Sequence, residues 1–278
     1  MAQPKKQTQV TVWRAPDLGA ELLRGSFADF SYDTHTHDTA CFALLTHGAI
    51  RIRTRGTEFV ARKGDLYAIA ADEPHAGWPV DAQGWKLRTL YVDMDHLRAL
   101  AGDERAHRAV TLAGPIIRDA ELASMLYGVH WCSQQQGPAL YREERYLAFA
   151  SRLFARHARH AAELAEPAPP GKADRAVRLA KDFLDSHLEQ QVSLGDIAAA
   201  AGLPAFRLFR AFERAMGMTP HAYQRQARIR TAVGLIRGRH ALSEVAAAAG
   251  FADQAHLTRC FRRAMGVTPG VYQKAVRT

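Results

Sequence analysis

Of the 278 residues only three are cysteine, and Cys41, Cys132 and Cys260 lie far apart in the chain. They are too few and too scattered for a disulfide framework. A reducing compartment, and hence a cytoplasmic location, is expected. No uninterrupted apolar run approaches the ~18 residues of a membrane span. The opening segment, MAQPKKQTQV, has two lysines with no apolar stretch behind them, so no secretory leader is expected. Signatures of catalysis are scarce too. The sequence has no phosphate-cradling glycine loop, no nucleophile elbow and no acid/base pair at recognisable spacing. Apolar and charged residues are not scarce. Their shares, 47% and 23%, are close to globular averages and exclude a disordered or collagen-like chain. At roughly 100–200 residues per domain the length suggests about two domains, enough to bury a sizeable core.

Charge is unevenly spread. Residues 1–171 hold 20 basic and 20 acidic side chains, whereas residues 172–278 hold 17 basic and 8 acidic ones, so the whole excess of +9 sits in the last 107 residues. A polyanion, most commonly nucleic acid, is the partner such an asymmetry suggests. The asymmetry changes at residues 166–172, EPAPPGK, where three prolines and a glycine exclude a helix interior or a central strand. This segment reads as a linker between a first domain, residues 1–165, and a second, residues 173–278.

Before the linker two patterns follow one another. Residues 10–95 are strand-like. In AIRIRTR, residues 49–55, Ile50, Ile52 and Thr54 alternate with Arg51, Arg53 and Arg55, as in a strand with one buried face. Short strands with regular turn signals suggest a sandwich or small barrel. Residues 115–163 are helical in pattern, with Leu122, Met125, Leu126 and Val129 three to four apart, then Leu140, Leu147, Phe149, Leu153 and Phe154 after Gly137-Pro138. Two such helices either cover the barrel or form the seam of a homodimer.

After the linker the chain repeats itself. Residues 198–224 read AAAAGLPAFRLFRAFERAMGMTPHAYQ and residues 246–273 read AAAAGFADQAHLTRCFRRAMGVTPGVYQ, with one residue inserted in the second turn. Each copy has an Ala-rich helix (194–201; 242–249) stopped by a glycine, Gly202 or Gly250. A second helix follows and closes at Met216-Gly217 or Met265-Gly266. Thr219-Pro220 and Thr268-Pro269 then start a third, with Thr at the N-cap and Pro at the first helical position. Leu208 and Phe212, like Leu257 and Phe261, are four apart and share a face that should pack inward. Two helices joined by a glycine turn form a helix-turn-helix, whose second helix enters the DNA major groove. The connecting helix, about 18 residues or ~27 Å, is long enough to hold two reading helices about one DNA turn apart.

The tandem unit, its A-G-[LF] turn, the L-x-R-x-F of each second helix and the closing M-G-[MV]-T-P-x-x-Y resemble the DNA-binding domain of AraC/XylS-type transcription regulators. The resemblance implies a seven-helix domain that binds asymmetric half-sites on double-stranded DNA, usually to activate transcription, with RNA polymerase as a further partner. It places Phe206, Phe209 and Arg210 of the first copy, and Gln254, Ala255, Thr258 and Arg259 of the second, on the groove-facing surface. Arg207 differs between the copies, as base-reading positions do. Arginine pairs bidentately with guanine and Phe touches a thymine methyl. Arg214, Arg262 and Arg263 are expected on phosphates, which position without specifying.

In the first domain, His35 and His37 stand two apart and point the same way if they lie on a strand. His75 follows a proline in Asp72-Glu73-Pro74-His75. The pattern resembles the cupin barrel, with Gly48 as the closing glycine of its first motif. It departs from cupins in having Cys41 where they have a glutamate and in a shortened second motif. Similar His-rich sensor barrels occur in the regulator family. His35, His37, Cys41 and His75 are therefore a candidate set for a divalent metal such as zinc. A straight strand, however, would put Cys41 ~13 Å from His37. His35, His37, His75, Trp78, Trp85 and Tyr91 are the candidate walls of a small-molecule effector pocket.

The expected chain is thus α+β. It has a cupin-like β-barrel for effector binding and dimerisation with two covering helices, a linker, and an all-α tandem helix-turn-helix domain. The function read from it is that of a ligand-responsive transcription regulator, dimeric through residues 115–163, with no membrane partner. The competing reading is a metal-dependent cupin enzyme with an accessory DNA-binding domain, which the missing glutamate disfavours.

Overall fold

The computed structural model describes residues 8–100, 110–112, 114–160 and 172–277. The expected linker lies outside the described residues except for Lys172, and so does the end of the expected dimer segment, residues 161–163. In chain order the elements are β1 (Gln9–Ala15), β2 (Ala20–Phe27), β3 (Tyr32–His35), β4 (Ala40–Thr54), β5 (Thr57–Arg62), β6 (Leu66–Ile69), β7 (His75–Pro79), β8 (Trp85–Val92), α1 (Met94–Leu100), β9 (Val110–Leu112), β10 (Ile116–Ile117), α2 (Ala120–Gln134), α3 (Ala139–His157) and β11 (Ala158–His160). The second half comprises α4 (Lys172–Ser186), α5 (Leu194–Ala201), α6 (Ala205–Met216), α7 (Pro220–Arg237), α8 (Leu242–Ala248), α9 (Gln254–Met265) and α10 (Pro269–Arg277).

The strands form an antiparallel cupin-like fold along the path β1-β2-β8-β4-β6-β10, with β3, β5 and β7 joined through the long bent strand β4. Period-two alternation decides which side chains go where. On β4, Cys41, Ala43 and Leu45 point into the barrel, while Ala40, Phe42 and Leu44 point to the opposite face. That opposite face is covered by α2 and α3 through Leu122, Leu126, Val129, Phe149 and Leu153. The two helices therefore do cover the barrel. Ile50, Ile52 and Thr54 are buried as their alternation suggests.

The helical half follows its own punctuation. Gly202, Gly217 and Gly266 adopt the left-handed conformation just after α5, α6 and α9, where a residue other than glycine is strained. Thr219 caps α7 by accepting a hydrogen bond from the Ala222 amide at 3.2 Å, and Thr268 does the same for Val271 at 3.3 Å. Leu208, Phe212, Leu257 and Phe261 are fully buried, each worth ~1.5–3 kcal/mol of transfer free energy. The two copies are bedded differently. α4 to α6 and the start of α7 enclose their own core. The rest of α7 and α8 to α10 share one continuous core with the barrel interior.

Candidate nucleic-acid interface and effector cavity

Burying Leu208 and Phe212 on one side of α6, and Leu257 and Phe261 on one side of α9, turns the opposite faces outward. Arg207, Arg210 and Arg214 are exposed on α6, and Gln254, Ala255, Arg259, Arg262 and Arg263 on α9. Phe206 is 75% exposed, so its ring is free to meet a partner surface. Phe209 is half-buried and lines an apolar recess with Leu184, Val192 and Ile197, so it supports the joint of the first copy as well as facing outward. Thr258 is also half-buried, its hydroxyl donating to the Gln254 carbonyl at 2.8 Å. Arg263 turns toward the barrel, where Asp33 lies 3.9 Å away.

A cavity of about 330 Å³ opens between the barrel and the C-terminal helices. Arg14, Glu21, His35, Thr36, His37 and Tyr91 form its barrel wall, and Ile229, Arg230, Val233, Arg237 and Met265 its helical wall. Polar ties cross its edges. Arg230 donates to the Thr36 hydroxyl at 3.0 Å, and Gln226 donates to the Thr34 carbonyl at 3.4 Å. Glu21 accepts from the Tyr272 hydroxyl at 2.8 Å and from Arg237 at 3.1 Å. Glu21 thereby neutralises Arg237. Arg14 and Arg230 have no carboxylate partner among the described residues.

The histidines gather at the base of this cavity. The ring centres of His35 and His75 are 4.2 Å apart and those of His37 and His75 4.8 Å. Each Nδ1 donates to a backbone carbonyl: His35 to Asp33 at 2.7 Å, His37 to Thr39 at 2.6 Å and His75 to Glu73 at 2.8 Å. Burial and the neighbouring His37 lower the His35 pKa to about 4, and burial with its two neighbours holds His75 well below the ordinary value. The trio is neutral at physiological pH.

The candidate residues thus part company. His35, His37 and Tyr91 wall the cavity, and His75 backs them. Trp85 does not reach it. Fully buried, it stacks on Phe27 at 4.9 Å in the barrel interior. Trp78 does not either, since its ring lies on β7 beneath the Arg53 guanidinium. The metal set is likewise not assembled. Among the described residues no group of three or more His, Cys, Asp or Glu side chains is placed to hold a cation, and burial raises the Cys41 thiol pKa, keeping it protonated. The helical wall escaped the sequence reading. Gln226, Arg230, Val233 and Arg237 recur at three- to four-residue spacing, so their shared face on α7 is readable, but nothing in the sequence says that a barrel covers it.

The outer face of α2 and α3 is aromatic. Tyr127 is 40%, Trp131 48% and Tyr141 43% exposed, around a recess that also includes Gly128, Cys132 and Pro138.

Comparison with known proteins agrees with both halves. The family described as "AraC-like ligand binding domain" matches residues 17–150, and the family described as "Helix-turn-helix domain" matches residues 197–275. The chain is 25% identical over 249 residues to the helix-turn-helix-type transcriptional regulator YbfI of Bacillus subtilis, covering 87% of each. It is 33% identical over 78 residues to the probable transcriptional regulator LumQ of Photobacterium leiognathi, covering 28% of this chain and 32% of that one. In fold it is similar to ToxT of Vibrio cholerae, with a TM-score of 0.54 at 11% identity over 99% of this chain and 98% of that one. A structure of ToxT bound to an unsaturated fatty acid gives 0.50 at 12% identity, over 98% and 97%. A doubled reading head and a ligand-binding barrel, each matched over its own half, place the chain in the AraC family of DNA-binding transcription regulators.

Proposed function

We propose that the barrel is the sensor of this regulator and that its effector is a small acid with an apolar body, seated between the barrel and α7. One observation carries the reading: the cavity takes one wall from the sensor and the other from the DNA-binding half. An occupant there bears on the relative placement of the two, which is what coupling between sites requires. Arg14 and Arg230 supply cationic groups without carboxylate partners among the described residues. Tyr91, Ile229, Val233 and Met265 supply apolar surface. Asp38 and Asp93 also line the cavity. The fatty acid in ToxT supports the same ligand class.

The chain acts as a regulator and not as an enzyme, a reading supported by the match of its two halves to a ligand-binding domain and a helix-turn-helix domain. It works as a homodimer joined through the aromatic face of α2 and α3. It is an activator that meets RNA polymerase, in keeping with its family, and works in the cytoplasm. Among the described residues no helix is long and apolar enough to cross a membrane.

Thermal-shift titration with unsaturated fatty acids and aromatic acids tests the cavity. A binder should raise the melting midpoint of the wild type, with the shift reduced in Arg230→Ala and abolished by Val233→Trp, which fills the space. A binder whose shift survives both substitutions sits elsewhere.

A further inference from the structure

A second cavity, of about 300 Å³, lies between α7 and α9. Arg225 and Arg228 of α7, Arg259 and Arg263 of α9, His221 at the start of α7 and Asp33 of β3 line it. On α7 the residues 221, 225 and 228 share one face, as do 259 and 263 on α9. Arg228 is held in place, its Nε donating to the Leu188 carbonyl at 2.6 Å and its Nη2 to the Gln190 carbonyl at 3.0 Å. Arg225 and Arg259 have no carboxylate partner among the described residues. Burial together with Arg225 and Arg228 holds the His221 imidazole below its ordinary pKa. The cavity is therefore strongly electropositive, and Asp33 is the one acid in its lining.

Its position indicates what it meets. The first half of α7 lies between the two reading helices: His221 shares a recess with Phe209 of α6 on one side and this cavity with α9 on the other. A duplex that sends successive major grooves to α6 and α9 carries its intervening backbone across that span.

We propose that this cavity seats phosphates of the intervening DNA backbone, and that Asp33 of the barrel stands at its rim as a competing anion. The proposal builds on the DNA-binding role of the family and adds contacts that neither reading helix supplies alone. It also assigns a regulatory part to β3. Asp33 borders the phosphate seat, while His35, two residues on, and Thr36 wall the effector cavity. The strand is irregular there, with a shift of register between Tyr32 and His35. An effector that displaces β3 displaces the carboxylate as well.

The test is the affinity of the full chain for a mixed-sequence duplex about four helical turns long, measured across a range of salt. Asp33→Asn should tighten binding about five-fold, the effect of removing one like charge about 4 Å away when it is screened as in bulk water. Arg225→Gln should weaken binding and lower the salt slope by about one. Wild-type melting midpoints would show that both variants fold. Unchanged affinity in Asp33→Asn, or an unchanged slope in Arg225→Gln, overturns the proposal while the wild type still binds DNA. A wild type that binds no duplex would instead refute the family role itself. Stoichiometric binding of inorganic pyrophosphate without DNA, lost in Arg225→Gln while the slope stays put, would assign the seat to a free phosphate compound and likewise overturn it.

Discussion

Arg210 and Arg259 occupy matching places in the two copies, and both are exposed with no carboxylate partner among the described residues. A solvated arginine at the centre of a reading face is suited to the paired acceptors of guanine. Replacing either with alanine should cost about 1–3 kcal/mol on a selected operator and much less on random DNA. Equal losses on both would make that arginine a phosphate clamp. The histidine trio makes a different prediction. The folded pKa of His35 lies at about 4, below the ordinary 6.5, so the unfolded chain takes up the proton first. Its contribution to stability is complete above about pH 6.5 and declines as pH falls toward 4. Urea denaturation should show the wild type losing on the order of 2 kcal/mol from this residue alone between pH 7 and pH 5, and His35→Gln should flatten the curve. A wild-type stability that stays level across that window would contradict a buried neutral trio. At this scale the sequence separates some residues and not others. His35 ends β3 and His37 lies beyond it, so the two meet through His75 and not through strand alternation. Trp85 and Tyr91 look equally aromatic on one strand, and only packing sends one into the core and the other to the cavity.

Among the elements, helix boundaries were the most legible part of the chain, because caps are chemical. Gly202, Gly217, Thr219 and Pro220 mark the ends of α5 and α6 and the start of α7 whatever surrounds them. The short strands β9, β10 and β11 carry no such mark and were not foreseen. The glycine stops are alike in sequence but not in surroundings. A methyl group on Gly202 meets nothing within 4 Å, whereas on Gly250 it would lie 2.3 Å from the Leu188 carbonyl oxygen. Both positions have positive φ, so Gly202→Ala should cost roughly 1–2 kcal/mol. Gly250→Ala should cost about 1–3 kcal/mol more, through the forced shift of backbone. Matched chemical denaturation of the two variants checks this, and equal costs would mean that the Leu188 loop yields freely. That loop also accepts the Arg228 hydrogen bond, so it ties the first copy to the second. The α2/α3 pair makes its own prediction. If this face joins two copies as proposed, the wild type should scatter light as a dimer at micromolar concentration and Trp131→Ala combined with Tyr127→Ala as a monomer. A dimer that persists must use another face.

For the molecule as a whole, Glu21 is the pin between its halves. Its carboxylate is buried on β2 and holds Tyr272 of α10 and Arg237 of α7. Glu21→Ala leaves both donors short of an acceptor. It should cost about 1–3 kcal/mol and split a single thermal transition into two by calorimetry; one sharp transition at the wild-type midpoint would show that the apolar contacts hold alone. The existence of two halves was plain from the change in charge and the proline-rich seam. Their docking was not, because Glu21 and Tyr272 stand 251 positions apart and neither belongs to a motif.

The unequal bedding of the two copies extends to the promoter. With α9 anchored to the barrel and α6 resting on a core of its own, the two ends of an operator are not interchangeable. Base changes opposite α6 alter how firmly the protein holds on. Base changes opposite α9 act on a helix that shares its core with the barrel, so a shift of the barrel should be felt first at that end of the site.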